Sequence, residues 1–564
     1  MHSRRDFLQF AAVIAAMSGF SGGLTRVAAR QRVTQDDLLS FDSKGQVTLL
    51  HITDMHAQLM PMYYRPPSQN IGVGSYSGIP PHVVGEDFLK HFGLERDSAL
   101  AYAHTMVDYV DMARSYGRLG GLDNTATLVN AIRAERGDDK VLLLDGGDTW
   151  QGSYTTLKTE AQDMAECMSL LKPDAMVGHW EFTLGEKRVL ELIDSLDYPF
   201  LAGNIVDNDW EEPVFESTAF YDKGGVRVAV IGQAMPYTPI ANPRWMFPQW
   251  SFGLRTELLQ VNVDKARSDG AQLVVLLSHN GFDVDRKLST VVSGIDVILT
   301  GHTHDAIPKA IKIDNTLILA SGSHGKFLGR IDLKVKNGKV ADYSSKLIPV
   351  LSDVIRPDVS MSQMIAKVRA PYESELKRVI GKTDSLLYRR GNFNGTWDDL
   401  ICRGMMEERD AELSFSPGFR WGTTVLPGDE ITIEDLYTQT AMSYPSVYRL
   451  EFTGAQIHEV LEDVCDNLFN KDPFLQQGGD MVRVGGMGYT CEPEGSMGSR
   501  ISNMTQLSTG EPIDPARKYV VAGWGSVNEE VEGPAIYDVM ENYISKQDVV
   551  TIEKNDAVKL IGGY

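Results

Sequence analysis

The chain has 564 residues, a formal net charge of −22, 43 % hydrophobic and 23 % charged residues. This length exceeds one ordinary hydrophobic core and predicts two domains, and the composition is that of a globular chain. The acidic balance excludes nucleic acid or an anionic membrane as the main partner; an anionic substrate would need metal ions or a well-placed arginine. The four cysteines, Cys167, Cys402, Cys465 and Cys491, form no CxxC pair and show no zinc spacing, so disulfides and packing thiols both stay open.

In chain order, Ser3-Arg4-Arg5-Asp6-Phe7-Leu8 comes first, before the apolar run Phe10 to Met17 and Val27-Ala28-Ala29. Residues 1–30 read as a twin-arginine signal and predict export to the periplasm; the alternative is a basic start to a buried helix. The apolar run is too short for a stable anchor, so no membrane anchor is expected in the mature form. From 46 to 350, short β-rich runs end abruptly in polar and glycine residues: Val47 to Ile52, Val141 to Leu144, Asp174 to Val177, Val226 to Ile231, Leu273 to Leu277, Val297 to Leu299 and Leu317 to Leu319. Helical stretches such as Leu122 to Glu135 and Arg188 to Leu196 lie between them. Near-continuous apolar strands mean sheets covered on both faces, hence a layered α/β domain. Residues 60–85 are rich in Pro, Gly, Ser and Tyr and open a long insertion reaching about residue 117, helical in its second half. A polar helical linker is expected over 351–382 and a second domain over 383–564.

Five motifs stand at predicted strand ends: Asp54-Met55-His56, Gly146-Gly147-Asp148, Gly178-His179-Trp180-Glu181, Ser278-His279-Asn280 and Gly301-His302-Thr303-His304. Strand C-terminal ends are where open α/β sheets place ligands. Two Asp and five His on one rim supply seven ligands, enough for two adjacent ions if one carboxylate bridges them. Mixed nitrogen and oxygen donors suit manganese, zinc or iron and disfavour calcium; manganese is the leading expectation. Any one of these histidines alone reads as structural, as do His51, His324 and His458, each a packed or surface histidine; the ordered set does not.

DxH, GGD, GHxE, a strand-end His and GHxH, in that order, resemble the metallophosphoesterases, and specifically the 5′-nucleotidase family with its added C-terminal domain. The resemblance covers essentially the whole mature chain. It implies an α/β-β/α sandwich followed by a 5′-nucleotidase-like α/β substrate-binding domain. It implies one ion on Asp54, His56, Asp148 and His304, and a second sharing Asp148 with His279, His302 and His179. The family normally has Asn at position 179, in GNHE, where the following His works with an Asp three residues later on the transition state and leaving group. Here those two positions are Trp180 and Thr183. Losing both points to a leaving group that needs little protonation, and a sulfur anion fits.

GHWEF, the insertion with Tyr64-Arg65-Pro66-Pro67 and Asn70-Ile71-Gly72, and Phe415 to Gly422 in the second domain resemble the SoxB family of thiosulfohydrolases. That resemblance implies a sulfonate carried on a cysteine of the SoxYZ carrier protein, hydrolysed to release sulfate. The metal pair would generate hydroxide and neutralise the sulfonate oxygens. Arg420 is the expected sulfonate grip, or else a structural salt bridge. Trp180 either lines a narrow channel or packs, and Glu181 orients a ligand. The rival functions are a periplasmic 5′-nucleotidase or other phosphoesterase, and a non-catalytic metal-binding scaffold for carrier and redox partners.

Overall fold

The computed structural model describes residues 33–527, 531–553 and 555–562; the expected export signal lies outside the described residues. Strand Val47–Ile52 is buried at every position because it lies in the middle of one sheet and both faces of that sheet are covered. It pairs parallel with Val141–Asp145 and antiparallel with Phe327–Lys336; Lys339–Pro349 and Ala175–Met176 form the two edges. A second sheet has Thr316–Ala320, Val297–Thr300, Leu273–Ser278 and Val226–Gln233 running parallel, with Ile311–Ile313 and Thr218–Lys223 outside them.

Alternation along each strand decides what each residue buries against. Val47, Leu49, Leu142, Leu144, Val275, Leu277 and Leu299 point between the two sheets and form one core. Leu50, Ile52 and Leu143 point outward and meet Leu128, Val129 and Ile132 of helix Leu122–Arg136. Val274, Leu276 and Ile298 meet Leu259 and Val263 of helix Thr256–Ser268 and Leu288 of helix Phe282–Val291. Each such leucine or valine contributes about 1.5–3 kcal/mol when fully buried. The outcome is the expected helix–sheet–sheet–helix sandwich.

The linker departs from the single helix expected over 351–382. Helix Val359–Arg369 opens on Asp358, whose carboxylate accepts from the Met361 amide at 2.9 Å, and a one-turn helix follows at Glu373–Leu376. Val379–Lys382 is then a strand, paired antiparallel with Glu430–Thr432, as the β-branched Val379 and Ile380 favour. Beyond it, Val447–Thr453, Lys518–Trp524, Leu413–Ser416 and Arg483–Gly485 form one sheet, and Ile501–Gln506, Met487–Cys491 and Val558–Leu560 another. Helices Thr396–Glu408, Ile433–Thr440, Gly454–Leu468 and Ile536–Ser545 cover them.

The insertion carries three helices, Gly85–Phe92, Ala99–His104 and Tyr109–Tyr116, as its second half predicts. Its first half crosses to the second domain. Tyr63 and Thr424 form an antiparallel β-bridge, and the Arg65 amide donates to Thr424 Oγ1 at 2.9 Å. Further ties are Gln151 Nε2 donating to the Ala441 carbonyl at 2.5 Å, Ser443 Oγ to the Thr183 carbonyl at 2.7 Å, and the Lys287–Asp472 ion pair at 2.5 Å. These contacts surround the rim where the parallel strands of both sheets end.

Candidate metal centre

All seven side chains singled out from the sequence meet on that rim. Asp54 and His56 follow strand Val47–Ile52, Asp148 follows Val141–Asp145, and His179 follows Ala175–Met176. His279 follows Leu273–Ser278, while His302 and His304 follow Val297–Thr300. Two clusters result, Asp54, His56, Asp148 and His304, and Asp148, His179, His279 and His302, each with its ligand atoms within 4.8 Å of one another. Asp148 belongs to both. Its Oδ2 lies 3.1 Å from His279 Nε2, 3.3 Å from His179 Nδ1 and 3.7 Å from His56 Nε2, and its Oδ1 accepts from the Trp180 amide at 2.8 Å. In the first cluster His304 Nε2 lies 3.2 Å from Asp54 Oδ1 and 3.0 Å from His56 Nε2.

The donor set fits two divalent ions. Donors bonded to one ion at about 2.1 Å stand about 3–3.5 Å apart, which is the spacing found. The His56 and His304 Nε2 atoms, 3.0 Å apart, can share a proton as two neutral imidazoles and are equally placed to share a cation. Each cluster mixes imidazole with carboxylate, which suits a first-row transition metal and not calcium.

The loops hold this arrangement under backbone strain. Asp54, His56, Asp148, His302 and His304 all take left-handed φ values, between 46° and 73°. Such conformations cost about 1–3 kcal/mol each in a non-glycine residue and persist only where surroundings fix them. Some of those fixings are visible. The His302 amide donates to both Asp54 oxygens at 3.1 Å, Thr53 Oγ1 donates to Asp54 Oδ2 at 2.6 Å, and the His324 amide donates to the Asp54 carbonyl at 2.7 Å. Gly301 must be glycine, since a Cβ there would stand 2.4 Å from Thr53 Oγ1 and 3.1 Å from Asp54 Oδ2.

Burial sets the protonation of the metal-free site. It raises the Asp54 carboxyl to about 6, with Asp148 adding repulsion and the nearby His279 and His56 opposing. It lowers His56, His302 and His304, which are therefore neutral at pH 7. Burial also opposes charge on His279, but Asp148 and Asp54 together raise its pKa to about 10.

The other expected site residues lie differently. Glu181, expected to orient a ligand, is fully buried and does not line the cavity over the metals, so it takes no part in the reaction itself. Its carboxylate accepts from the backbone amides of His179 at 2.7 Å, Thr149 at 2.6 Å, and Asp148 and Trp150 at 3.3 Å each. It thus fixes the two loops that carry Asp148 and His179. Trp180 both packs and lines the cavity, edge-on to Phe419 at 5.1 Å and Trp421 at 6.2 Å. Thr183 Oγ1 donates to the Trp180 carbonyl at 2.7 Å and faces no ligand. Arg420 lines the cavity from the second domain; Nη2 donates to the Gly479 carbonyl at 2.5 Å and Nε lies 3.5 Å from Asp480 Oδ1. Arg420 Nε and Nη1 are both buried with no hydrogen-bonded protein acceptor, so the ion pair with Asp480 leaves Nη1 free to meet a ligand.

The cavity is wider than the slender channel expected. It measures about 680 Å³, and Tyr448, Leu450, Phe452 and Val464 of the second domain form an apolar wall leading away from the metals. Sequence reasoning missed several contributors. His324, read as a packed histidine, sits 5.2 Å from the His56 ring and accepts from the Gly422 amide at 3.2 Å; its glycine-flanked setting, Gly322-Ser323-His324-Gly325, was the available signal. Asn242, whose amide lies 3.3 Å from His179 Nε2, and Asp480 beside Arg420 belong to no motif. His51 is buried against Ser321, and His458 is partly exposed at the second domain's surface.

Residues 379–533 match the family model described as 5′-nucleotidase, C-terminal domain. The fold is shared with the 5′-nucleotidase precursor of Thermus thermophilus, at TM-score 0.72 and 19 % identity over 92 % of this chain and 100 % of that one. The snake venom 5′-nucleotidase of Naja atra is 27 % identical over 301 residues, 48 % of this chain and 55 % of that protein; the chain spans about half the length of the first curated relatives it matches. Layers, loops and paired clusters together define the class: a two-domain metallophosphoesterase of the 5′-nucleotidase superfamily. The solved Thermus thermophilus sulfate thiohydrolase SoxB, in complex with glycerol, superposes at TM-score 0.90 with 36 % identity, covering 93 % of this chain and 98 % of that one. Within the superfamily, the chain belongs to the SoxB family.

Two outcomes follow from the shared carboxylate and the raised imidazole. Asp148→Ala should lose both ions, whereas His179→Ala should weaken one, as elemental analysis of dialysed protein would read; equal loss in both variants contradicts a bridging role. Metal binding should also release protons. A ligand must be neutral, and His279 is charged below about 10, so affinity should rise with pH up to that value. At pH 8 about one proton per chain should be expelled, from His279. Calorimetry in buffers of differing ionisation enthalpy measures this, and no proton release at pH 8 would refute it.

Proposed function

We propose that this chain is a thiosulfohydrolase that removes sulfonate from a cysteine-bound sulfur chain on a carrier protein and releases sulfate. The observation that carries the reading is the pair of residues found where the superfamily keeps its leaving-group acid. Trp180 and Thr183 stand where a phosphoesterase of this superfamily holds its His and Asp; the indole is wedged among Phe419, Trp421 and Tyr444, and the hydroxyl is spent on a backbone carbonyl. Such a site expels an alkoxide poorly. A thiolate or persulfide leaves without a proton, because sulfur anions are stable near neutral pH.

The balanced step is R–S–SO₃⁻ + H₂O → R–S⁻ + SO₄²⁻ + 2H⁺. The S–S bond breaks, an S–O bond forms, and the electron pair stays on the departing sulfur. Two divalent ions, which we assign as manganese, would lower the pKa of the attacking water and neutralise the sulfonate oxygens. The chain's own residues do the rest. Arg420 offers its free Nη1–H to a sulfonate oxygen, with Asp480 and Gly479 holding the guanidinium. Trp180, Phe419 and Trp421 exclude water around the sulfur chain, and the apolar wall receives an uncharged extended segment of the carrier, identified by the family resemblance as SoxYZ.

Phe419 and Trp421 stack on each other with centroids 4.8 Å apart and planes 17° from parallel, so these two rings hold no base between them. A non-catalytic scaffold gives no reason for an arginine donor left free beside two metal clusters.

The assay measures sulfate from sulfonated carrier beside phosphate from nucleoside monophosphates with one preparation. We expect sulfate and little phosphate, and Arg420→Ala should lower carrier turnover about 10- to 150-fold, the worth of a charge-assisted hydrogen bond of about 1.5–3 kcal/mol. Efficient nucleotide hydrolysis, or no sulfate, overturns the function.

We also propose periplasmic localisation by the twin-arginine route, supported by Arg4-Arg5 before a modest apolar run. Among the described residues no helix is long and apolar enough to cross a membrane. Replacing both arginines with lysine should leave the protein in the cytoplasmic fraction; undiminished periplasmic accumulation argues against this route.

A further inference from the structure

A metal-binding histidine nearly always gives its outer ring nitrogen to a carboxylate, a carbonyl or a water, which fixes the ring and strengthens the donor. Two of the five histidines do so directly. His279 Nδ1 donates to the Gly146 carbonyl at 2.5 Å and His56 Nδ1 donates to Gln151 Oε1 at 3.2 Å, whereas His179 Nε2 meets the Asn242 amide nitrogen, a donor, at 3.3 Å. The two histidines of Gly301-His302-Thr303-His304 do not. His304 turns Nε2 to Asp54 and His56, and its Nδ1 is buried with no protein partner. His302 Nε2 is likewise buried and unpartnered; the Gly478 backbone closes on it so tightly that a Cβ there would stand 2.1 Å away, which leaves Nδ1 for the ion.

Each of these two rings borders a small chamber, and the insertion walls both. The chamber beside His304, about 40 Å³, is bordered by His104, Lys326 and Arg390. His104 ends the insertion helix Ala99–His104 and donates Nδ1–H to the Leu100 carbonyl at 2.9 Å, so its Nε2 is a lone-pair acceptor, and that atom too is buried and unpartnered. Burial holds His104 down at about 3, so the ring is neutral. The chamber beside His302, about 50 Å³, is bordered by Asn280, Asp283 and His82. His82, also from the insertion, lies with Nε2 2.6 Å from Asp283 Oδ2, while Asp283 Oδ1 and Asn280 Oδ1 have no partner. A water needs roughly 10–15 Å³ and two to four polar partners, so each chamber has room for about three. In each, a metal-binding ring with an unpartnered nitrogen and a residue with an unpartnered acceptor border the same chamber.

We propose that the insertion completes the metal centre through water held in these chambers: His104 anchors His304, and the His82–Asp283 pair anchors His302. These are positioning residues, acting on the ions through other side chains and water. The inference rests on the dimetal reading and not on the identity of the substrate.

The test is manganese(II) titration of the full-length protein, followed by electron paramagnetic resonance and by anomalous scattering from crystals. Wild type should bind two ions as a spin-coupled pair; fewer than two would overturn the dimetal reading and this inference with it, whatever the sulfate assay shows. His104→Leu should weaken the ion held by Asp54, His56, Asp148 and His304 about 10- to 100-fold. The remaining ion should give an uncoupled six-line spectrum and should sit among Asp148, His179, His279 and His302. His104→Gln, which restores an acceptor, should recover most of the lost affinity. Asp283→Leu should show the mirror image, losing the other ion first. Melting of the metal-free protein separates positioning from folding: loss of both ions in step with a lowered melting temperature, or unchanged affinity in both Leu variants, would overturn the proposal. Should His104→Leu fail to fold, Asp283→Leu and His104→Gln each still decide the chamber they touch.

Discussion

The Asp148 carboxylate is the interaction on which the rest depends. It is about 1 % exposed, belongs to both ligand clusters, and lies within 3.7 Å of three imidazoles. A carboxylate so far from water is tolerated only if positive charge and hydrogen bonds surround it. Two groups answer that demand against the like charge of Asp54 and Glu181: His279 is driven to its charged form in the metal-free protein, and the Trp180 amide caps Oδ1. Glu181 spends its own carboxylate on the amides of both flanking loops. Two divalent ions meet the same demand more completely, and in doing so draw the ends of strands from two sheets to one point.

The second domain is joined to that point and does not merely stand beside it. Gln151, whose Oε1 accepts from His56, donates from its other end to the Ala441 carbonyl; His324, beside His56, accepts from the Gly422 amide; Gly478 closes against His302. Arg420 reaches the cavity because Asp480 and the Gly479 carbonyl hold it, both from the loop that carries Gly478. The geometry around the ions is therefore set by both halves of the chain, and the arginine that would bind substrate shares its supports with the lining of the metal site.

Much of this was legible in the sequence. Runs such as Val47 to Ile52 and Leu273 to Leu277 announce doubly covered strands because they are near-continuously apolar, and each metal-binding motif follows such a run. What is local in the chain could be read: strand, turn, ligand. What depends on distant residues could not. Asn242 and Asp480 have no spacing that marks them, since their roles come from where the fold puts them. Glu181 was legible as a residue that orients a ligand, but not the means: the tight helical turn Trp180–Leu184 aims its carboxylate at the backbone amides of the loops that carry Asp148 and His179. The linker strand Val379–Lys382 was missed because its partner, Glu430–Thr432, lies some fifty residues on. The cavity's breadth also escaped, since its wall is drawn from Tyr448, Phe452 and Val464, none of them near a motif.

The left-handed backbone at Asp54, His56, Asp148, His302 and His304 has a consequence for how such a protein can change. At each of these positions the residue best for the fold alone would be glycine, which adopts that conformation without steric penalty. The residue best for the ions is one that glycine cannot replace. Stability and activity therefore pull in opposite directions at five points of the same rim, and a search for more robust variants would be drawn to the very substitutions that abolish the centre. Any gain in robustness compatible with function has to come from elsewhere, from the cores between and outside the sheets, leaving the rim as the costly part that the remainder of the molecule must be stable enough to carry.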